Sequence, residues 1–338
     1  MSSKAILCKR IKTSILLSIM FLQLLFLYVF YDYTTFPDIL IYLQGFDYSL
    51  KVGWHDVSEI QHFAPLIKLE LGWCYYTKIL SSLYNDSAIL LFATGFTIIL
   101  SYFIIIKKYS LIPWLSLFLF ITTVFYNSLF VLRQNYAAAI CLFSIPYILK
   151  RKVWKFLLFI FIAFSIHQSA IIFVLLYLLY PLKIKKRSFV LFIAMGLLFF
   201  GGFQFALNFA AIHLVGYGTH MSDTLEKANY TALILSLCVF VFICICYYPF
   251  VQIDDHDRLF FYMLMLFVMI DLSRIGLPGT IGRLNLYFYS GLIILFPNAC
   301  KRIKTPIFRY MAIIAISVVY FIVMIKQMNY GFGLIDLI

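Results

Sequence analysis

The sequence predicts an all-α polytopic membrane protein, and three observations carry that expectation. Of 338 residues, 64% are hydrophobic and only 12% are charged, about half the charged fraction of an ordinary soluble domain. The mean hydropathy is +0.98. The apolar residues arrive in runs of about 20, the length of helix that crosses the hydrocarbon layer. A soluble globule, a disordered chain and a secreted disulfide scaffold are excluded together. The seven cysteines (Cys8, Cys74, Cys141, Cys238, Cys244, Cys246 and Cys300) form no C-x-x-C pair and mostly lie within the apolar runs, so they read as small buried hydrophobes. Cys244 and Cys246 leave a helix about 200° apart and are poorly set to share an ion. No metal and no cofactor is assigned.

The amino-terminal residues Lys4, Lys9, Arg10 and Lys12 precede an apolar stretch from about Ser14 to Tyr31 with no small-x-small cleavage site, which reads as a signal anchor with the amino terminus inside. Further spans are expected at about 87–106, 111–131, 134–149, 153–168, 169–182, 188–207, 229–249, 259–275, 283–297 and 306–325. That makes about eleven transmembrane helices, within a range of 9 to 12. Alternating direction puts 19 of the 27 Lys and Arg residues on the amino-terminal side, as the positive-inside rule requires of a cytoplasmic face. The formal charge of +13 is therefore read as topology, and no nucleic-acid partner is expected. Two outer loops are long, at about 32–86 and 208–228. Within the first, Leu66 to Leu83 reads as one amphipathic interfacial helix, with a short membrane span as the alternative. No repeat or linker divides the chain, so 1–338 is expected to form a single integral-membrane domain.

Ionisable side chains cost several kcal/mol inside a bilayer, so those retained near spans are functional candidates. Arg133 opens a span ending at Lys150, about 26 Å away as helix, which sets it at the outer boundary beside Gln134 and Asn135. The bland alternative is an arginine snorkelling to headgroups. His167, with Gln168 and Ser169, stands at the tip of a tight hairpin, where a satisfied core histidine is the ordinary reading. Asp271 and Arg274 are spaced to pair with each other. Arg283 has no acid within a turn and opens a segment containing Tyr287. Glu70 lies on the interfacial helix, where a solvated face is the ordinary reading. All four basic positions fall at the same outer face. Arginines gathered there with few nearby acids suit a diphosphate.

These residues resemble the EpsG/Wzy-like polysaccharide polymerases of bacterial envelopes. The shared elements are Glu70-Leu71-Gly72-Trp73, Arg133-Gln134 followed by Ala137 to Ala139, His167-Gln168-Ser169-Ala170, and Arg283-Leu284-Asn285-Leu286-Tyr287-Phe288. Their order and spacing agree over about 70–290, with Leu71 standing where proline is frequent. The resemblance implies a glycosyltransferase of the bacterial inner membrane that joins oligosaccharide units carried on undecaprenyl diphosphate into an O-antigen, capsule or exopolysaccharide at the outer face. It also implies a relation to the GT-C type of membrane glycosyltransferase architecture. Implied partners are the lipid-linked oligosaccharide, membrane lipid and a chain-length regulator protein. Nucleotide sugar, ATP and metal are not required.

The chemistry of the residues is compatible with that reading. Charge accumulates on a departing diphosphate, which arginines such as Arg133 and Arg283 would stabilise in the transition state. A neutral imidazole, His167, suits the general base that deprotonates the acceptor hydroxyl. Arg274, Gln134, Glu70, Ser169 and Tyr287 are candidates for substrate binding. Three rivals stay open: a flippase of lipid-linked oligosaccharide, an O-antigen ligase, and a lipid-phosphate-sugar transferase using Asp32, Asp56 or Glu59. Asp255-His256-Asp257 has the D-x-D form of nucleotide-sugar enzymes, but reads as a solvated acidic loop.

Overall fold

A computed structural model of the chain describes residues 3–33, 37–63, 69–183, 230–248, 253–273 and 282–332. Among the described residues every regular element is helical. The order is α1 (Ser3–Phe30), α2 (Pro37–Lys51), a 3-10 segment (Trp54–His62), α3 (Leu71–Leu83), α4 (Ala88–Tyr109), α5 (Pro113–Phe120), a π turn (Ile121–Phe125), α6 (Tyr126–Ser128), α7 (Leu132–Phe143), α8 (Ile145–Leu149), α9 (Val153–Ile166), a second 3-10 segment (Gln168–Phe173) and α10 (Val174–Leu179). After residues outside the description come α11 (Tyr230–Tyr247), α12 (Asp255–Ser273), a third 3-10 segment (Arg283–Tyr287), α13 (Tyr289–Arg302) and α14 (Pro306–Phe332).

The all-helical expectation holds among the described residues, whereas the expected count of about eleven spans is not established by them. Two helices, Ala88–Tyr109 and Pro306–Lys326, are long and apolar enough to cross a bilayer alone. Elsewhere local chemistry interrupts the apolar runs. The expected span 111–131 starts at Pro113, widens into the π turn and ends before Leu132. The span 134–149 breaks at Ser144, whose hydroxyl donates to the Cys141 carbonyl (2.6 Å) just before Pro146. Pro146 has no amide hydrogen with which to continue the α7 hydrogen-bond ladder. The expected span 188–207 and outer loop 208–228 lie outside the described residues. The expected loop 32–86 instead carries α2, a 3-10 segment and α3.

The core is apolar, as in a soluble protein, but the exterior is apolar too, and polar side chains are also found inside. Large apolar side chains point outward, among them Phe26 and Phe30 on α1, Trp154 and Phe161 on α9, and Ile307, Phe308 and Ile314 on α14. Buried inside are Ser49, Thr94, Ser116, Ser128, Asn135 and Asn298. An apolar exterior this extensive requires lipid around it. Helix α3 shows the inversion along its length: Leu71, Tyr75, Ile79 and Leu83 are exposed at i, i+4 spacing, while Thr77, Lys78 and Ser81 are buried. An interfacial helix would keep its polar face in water. Here Lys78 Nζ turns inward and donates to the Ser49 carbonyl in the last turn of α2 (2.8 Å), which corrects the expectation of a helix lying on the surface.

Helix α7 is the axis of the assembly, buried from Leu132 to Leu142. It packs on α4 and α9, and Ala137, Ala138 and Ala139 let those neighbours approach. Helices α12 and α13 pack closely because Gly291 has no side chain: a Cβ there would lie 2.8 Å from the Phe260 carbonyl oxygen.

One end of the bundle is fastened by Asp257. Its carboxylate accepts hydrogen bonds from Tyr247 Oη (2.7 Å) and Asn298 Nδ2 (3.0 Å), with Arg302 Nη2 at 3.6 Å. Asn298 also donates to the Tyr109 carbonyl (3.0 Å) and accepts from the Leu111 amide (2.7 Å). The ends of α4, α11, α12 and α13 are thereby tied together where Lys107, Lys108, Lys301 and Arg302 stand. Asp255 and Asp257 thus open a helix instead of lying in a solvated loop. Asp255 stays solvated, paired with Arg258 at 3.0 Å, whereas Asp257 is buried. From this basic end, α9 leads from Lys152 back to His167 at the other.

Candidate functional site

At the opposite end four sequence elements, far apart in the chain, converge. Glu70 immediately precedes α3, positioned partly by Gln61, whose Nε2 donates to the Leu69 carbonyl (2.8 Å). Gly72 lets α3 approach the end of α9: a Cβ there would lie 2.5 Å from the Ser165 carbonyl oxygen. One residue later, at Ile166, α9 stops. The His167 amide still bonds the Ala163 carbonyl (2.9 Å), but its own backbone is extended (φ −154°, ψ 119°) before the next 3-10 segment begins. That bend carries the imidazole away from the helix axis and towards Glu70.

Glu70 is the hub. One carboxylate oxygen, Oε2, is bound by Arg133 Nη1. The other, Oε1, lies 2.8 Å from His167 Nδ1 and also accepts from the Gln168 amide at 3.3 Å. Arg133 further donates from Nε to Tyr42 Oη (3.1 Å), and its guanidinium lies 5.2 Å from the Tyr42 ring centroid. Burial pushes the Glu70 carboxyl up, but the His167 hydrogen bond and the Arg133 charge together outweigh it and hold the carboxyl below its ordinary value. Glu70 is therefore ionised near neutrality. An ionised carboxylate only accepts, so His167 Nδ1 must carry a proton. In the neutral imidazole that leaves Nε2 with a free lone pair. The His167 side chain is 28% exposed, against 14% for Glu70, so the ring is the more open of the two to solvent.

A second arm joins this hub to the last motif. Gln134 Nε2 donates to the Arg283 carbonyl (2.9 Å) and contacts Ser169 Oγ (3.3 Å), which in turn lies 2.9 Å from Tyr287 Oη. Two short 3-10 segments thus meet against the start of α7. The Arg283 side chain is exposed, and no carboxylate pairs with it among the described residues. Deeper in, Asn285 Nδ2 donates to buried Asp271 (2.5 Å) and secures the segment to α12.

Seven of the eight expected site residues (Glu70, Arg133, Gln134, His167, Ser169, Arg283 and Tyr287) are brought together. Arg274 lies outside the described residues, so its expected pairing with Asp271 does too. Two expectations are corrected. Arginines with few nearby acids describes Arg283 but not Arg133, whose charge is committed to Glu70. Glu70 is not on a solvated face, because α3 turns its polar side inward. Tyr42 and Gln61 were not singled out from sequence. Tyr42 falls in the stripe Ile39, Tyr42, Phe46, Ser49, all buried, and a tyrosine in such a stripe reads as core.

The fold and the site together define a class: a helical protein embedded in lipid, with a partly buried carboxylate joining a histidine to an arginine at one end of the bundle. The chain belongs to the EpsG family, whose model matches residues 14–335. Membership places it in polysaccharide biosynthesis as a membrane protein. No curated protein and no solved structure matches it.

Proposed function

We propose that the chain is a polysaccharide polymerase that joins oligosaccharide units carried on undecaprenyl diphosphate, working at the outer face of the bacterial plasma membrane. The observation that carries this reading is the Arg133–Glu70–His167 chain of contacts, with exposed Arg283 on the neighbouring segment. In the proposed step a hydroxyl of the acceptor unit gives its proton to His167 Nε2 as its oxygen attacks the anomeric carbon of the growing chain. The bond from that carbon to the diphosphate oxygen breaks, and the lipid diphosphate departs with the electron pair. Glu70 holds the imidazole in the tautomer that can accept the proton and stabilises the imidazolium that results, as a carboxylate does for histidine in hydrolases. Arg283 meets the charge developing on the diphosphate. Arg133 keeps Glu70 ionised and in place. Gln134, Ser169 and Tyr287 offer hydrogen bonds to sugar hydroxyls. The separation of the site from the basic end supports the outer-face placement through the positive-inside rule.

The test is the size ladder of surface glycan on a gel, from cells lacking the gene and restored with wild type, His167→Gln or Arg283→Ala. Polymerase activity predicts a single repeat unit on the lipid anchor in the deletion and in both variants. If no unit reaches the surface in the deletion, the chain is instead a flippase, a unit-building transferase or a ligase.

A further inference from the structure

Away from the site, a groove of about 460 Å³ opens on the outer surface between α1 and α4. Its walls are Leu17, Phe21 and Leu22 from α1 and Phe96, Leu100 and Phe103 from α4, and Lys107 lies at one end. Phe21 meets Phe96 and Phe103 edge-on at 5.5 and 5.4 Å between ring centroids. The two helices run in opposite directions: α4 descends to Lys107 at the basic end as α1 rises from it. From Phe96 to Lys107 the groove spans about 16 Å of helix, roughly one leaflet of a hydrocarbon core about 30 Å thick.

We infer that this groove is a binding site for an anionic glycerophospholipid of the leaflet at the basic end, one acyl chain lying along Phe21, Leu100 and Phe103 and the headgroup phosphate meeting Lys107. Charge complementarity selects the occupant. Lys107 is exposed and has no carboxylate partner among the described residues. Lys108 follows it, and α1 continues past Leu17 through Lys12, Arg10 and Lys9, within about two and a half turns. No acidic residue occurs in α1 or α4, so a zwitterionic headgroup would find a partner for its phosphate and none for its amine. Basic pockets between membrane helices at such an end favour anionic lipid. The inference uses only the surface of α1 and α4 and is independent of the chemistry proposed for Glu70 and His167.

The experiment is native mass spectrometry of the full chain, purified in detergent, delipidated and titrated with dioleoyl phosphatidylglycerol or dioleoyl phosphatidylcholine. Wild type is expected to retain phosphatidylglycerol about fivefold better, the effect of one lysine near a phosphate. Lys107→Gln, a change at an exposed position, should remove that preference, and Lys107→Arg should restore it. Leu100→Trp, which fills the groove, should lower retention of both lipids. An equal response of wild type and Lys107→Gln, or unchanged retention in Leu100→Trp, would overturn the site. Tighter retention of farnesyl phosphate than of phosphatidylglycerol by wild type would overturn the choice of occupant.

Discussion

Glu70 and His167 are 97 residues apart in the chain and 2.8 Å apart in the fold. The contact forms because α9 ends at Ile166 and because Gly72 lets α3 reach that end. A carboxylate on Nδ1 gives the imidazole a direction: proton towards Glu70, lone pair on Nε2. Replacing Glu70 by Gln keeps the shape but permits either tautomer. In Glu70→Gln, polymer output should fall by about 10²-fold or more, within the range of general acid–base contributions. His167→Gln should fall at least as far, and the double variant no further than His167→Gln alone, since the two groups act as a unit. Quantified glycan ladders from the three strains check this. Additive losses would mean that Glu70 acts on something other than His167.

Arg133 is the other half of Glu70's environment, and its loss should act on stability as well as output. Removing Glu70 as Ala leaves a buried guanidinium with Tyr42 Oη still in reach, and truncating one partner of a buried ion pair costs about 3 kcal/mol. Arg133→Ala leaves the carboxylate with only His167 and the Gln168 amide. Both variants should melt earlier in detergent than wild type, while the pair Glu70→Gln with Arg133→Met should recover part of the loss. Thermal unfolding followed by tryptophan fluorescence reads this directly. A wild-type melting temperature in Glu70→Ala would remove Arg133 from the account.

The direction of the Glu70 shift fixes how stability responds to acid. Glu70 holds its proton more weakly folded than unfolded, so on acidification the unfolded chain takes up more protons and stability falls. The contribution is whole above the ordinary carboxylate value of 4.5 and is lost as pH drops through the lowered folded value. Melting temperatures of wild type and Glu70→Gln should therefore converge as pH falls below 4.5, with wild type the more stable above it. A constant difference across that window would show that the carboxylate's charge is not what stabilises the cluster.

Much of this was legible in the sequence, and what was not has identifiable physical causes. Glu70, Arg133, His167 and Arg283 stood out because charged or titratable groups are costly near apolar runs, and that cost does not depend on knowing the fold. The match of α4 to the expected span 87–106 has the same origin, an unbroken apolar run ended by Lys107 and Lys108. The partnership of Glu70 with Arg133 and His167 was not legible, because it depends on which way α3 turns its polar face. That face is set by Lys78 reaching the Ser49 carbonyl and by Gly72 meeting Ser165, both tertiary facts. The interrupted spans were missed for a related reason: hydropathy counts apolar residues and is blind to Ser144 bonding its own backbone ahead of Pro146. Asp257 looked solvated because three acids and a histidine in seven residues read as a loop, whereas Tyr247 and Asn298 supply the partners from other helices.

That network at Asp257 offers a separation of stability from function. Asp257 binds the ends of α11 and α13 to its own helix α12 through Tyr247, Asn298 and Arg302, and it stands at the opposite end of the bundle from Glu70. Asp257→Ala leaves Arg302 half-exposed and able to find water, but strips the partners from Tyr247 Oη and from one Asn298 hydrogen, two buried donors at about 1 to 3 kcal/mol each. Asp257→Asn keeps an acceptor and should lose less. Both should lower the melting temperature, in that order, while the glycan ladder made by whatever protein remains folded keeps its wild-type length distribution. Normalising polymer output to folded protein in the membrane separates the two effects. A shortened ladder at wild-type protein levels would tie the basic end to chain-length control, which nothing in the geometry of Asp257 requires.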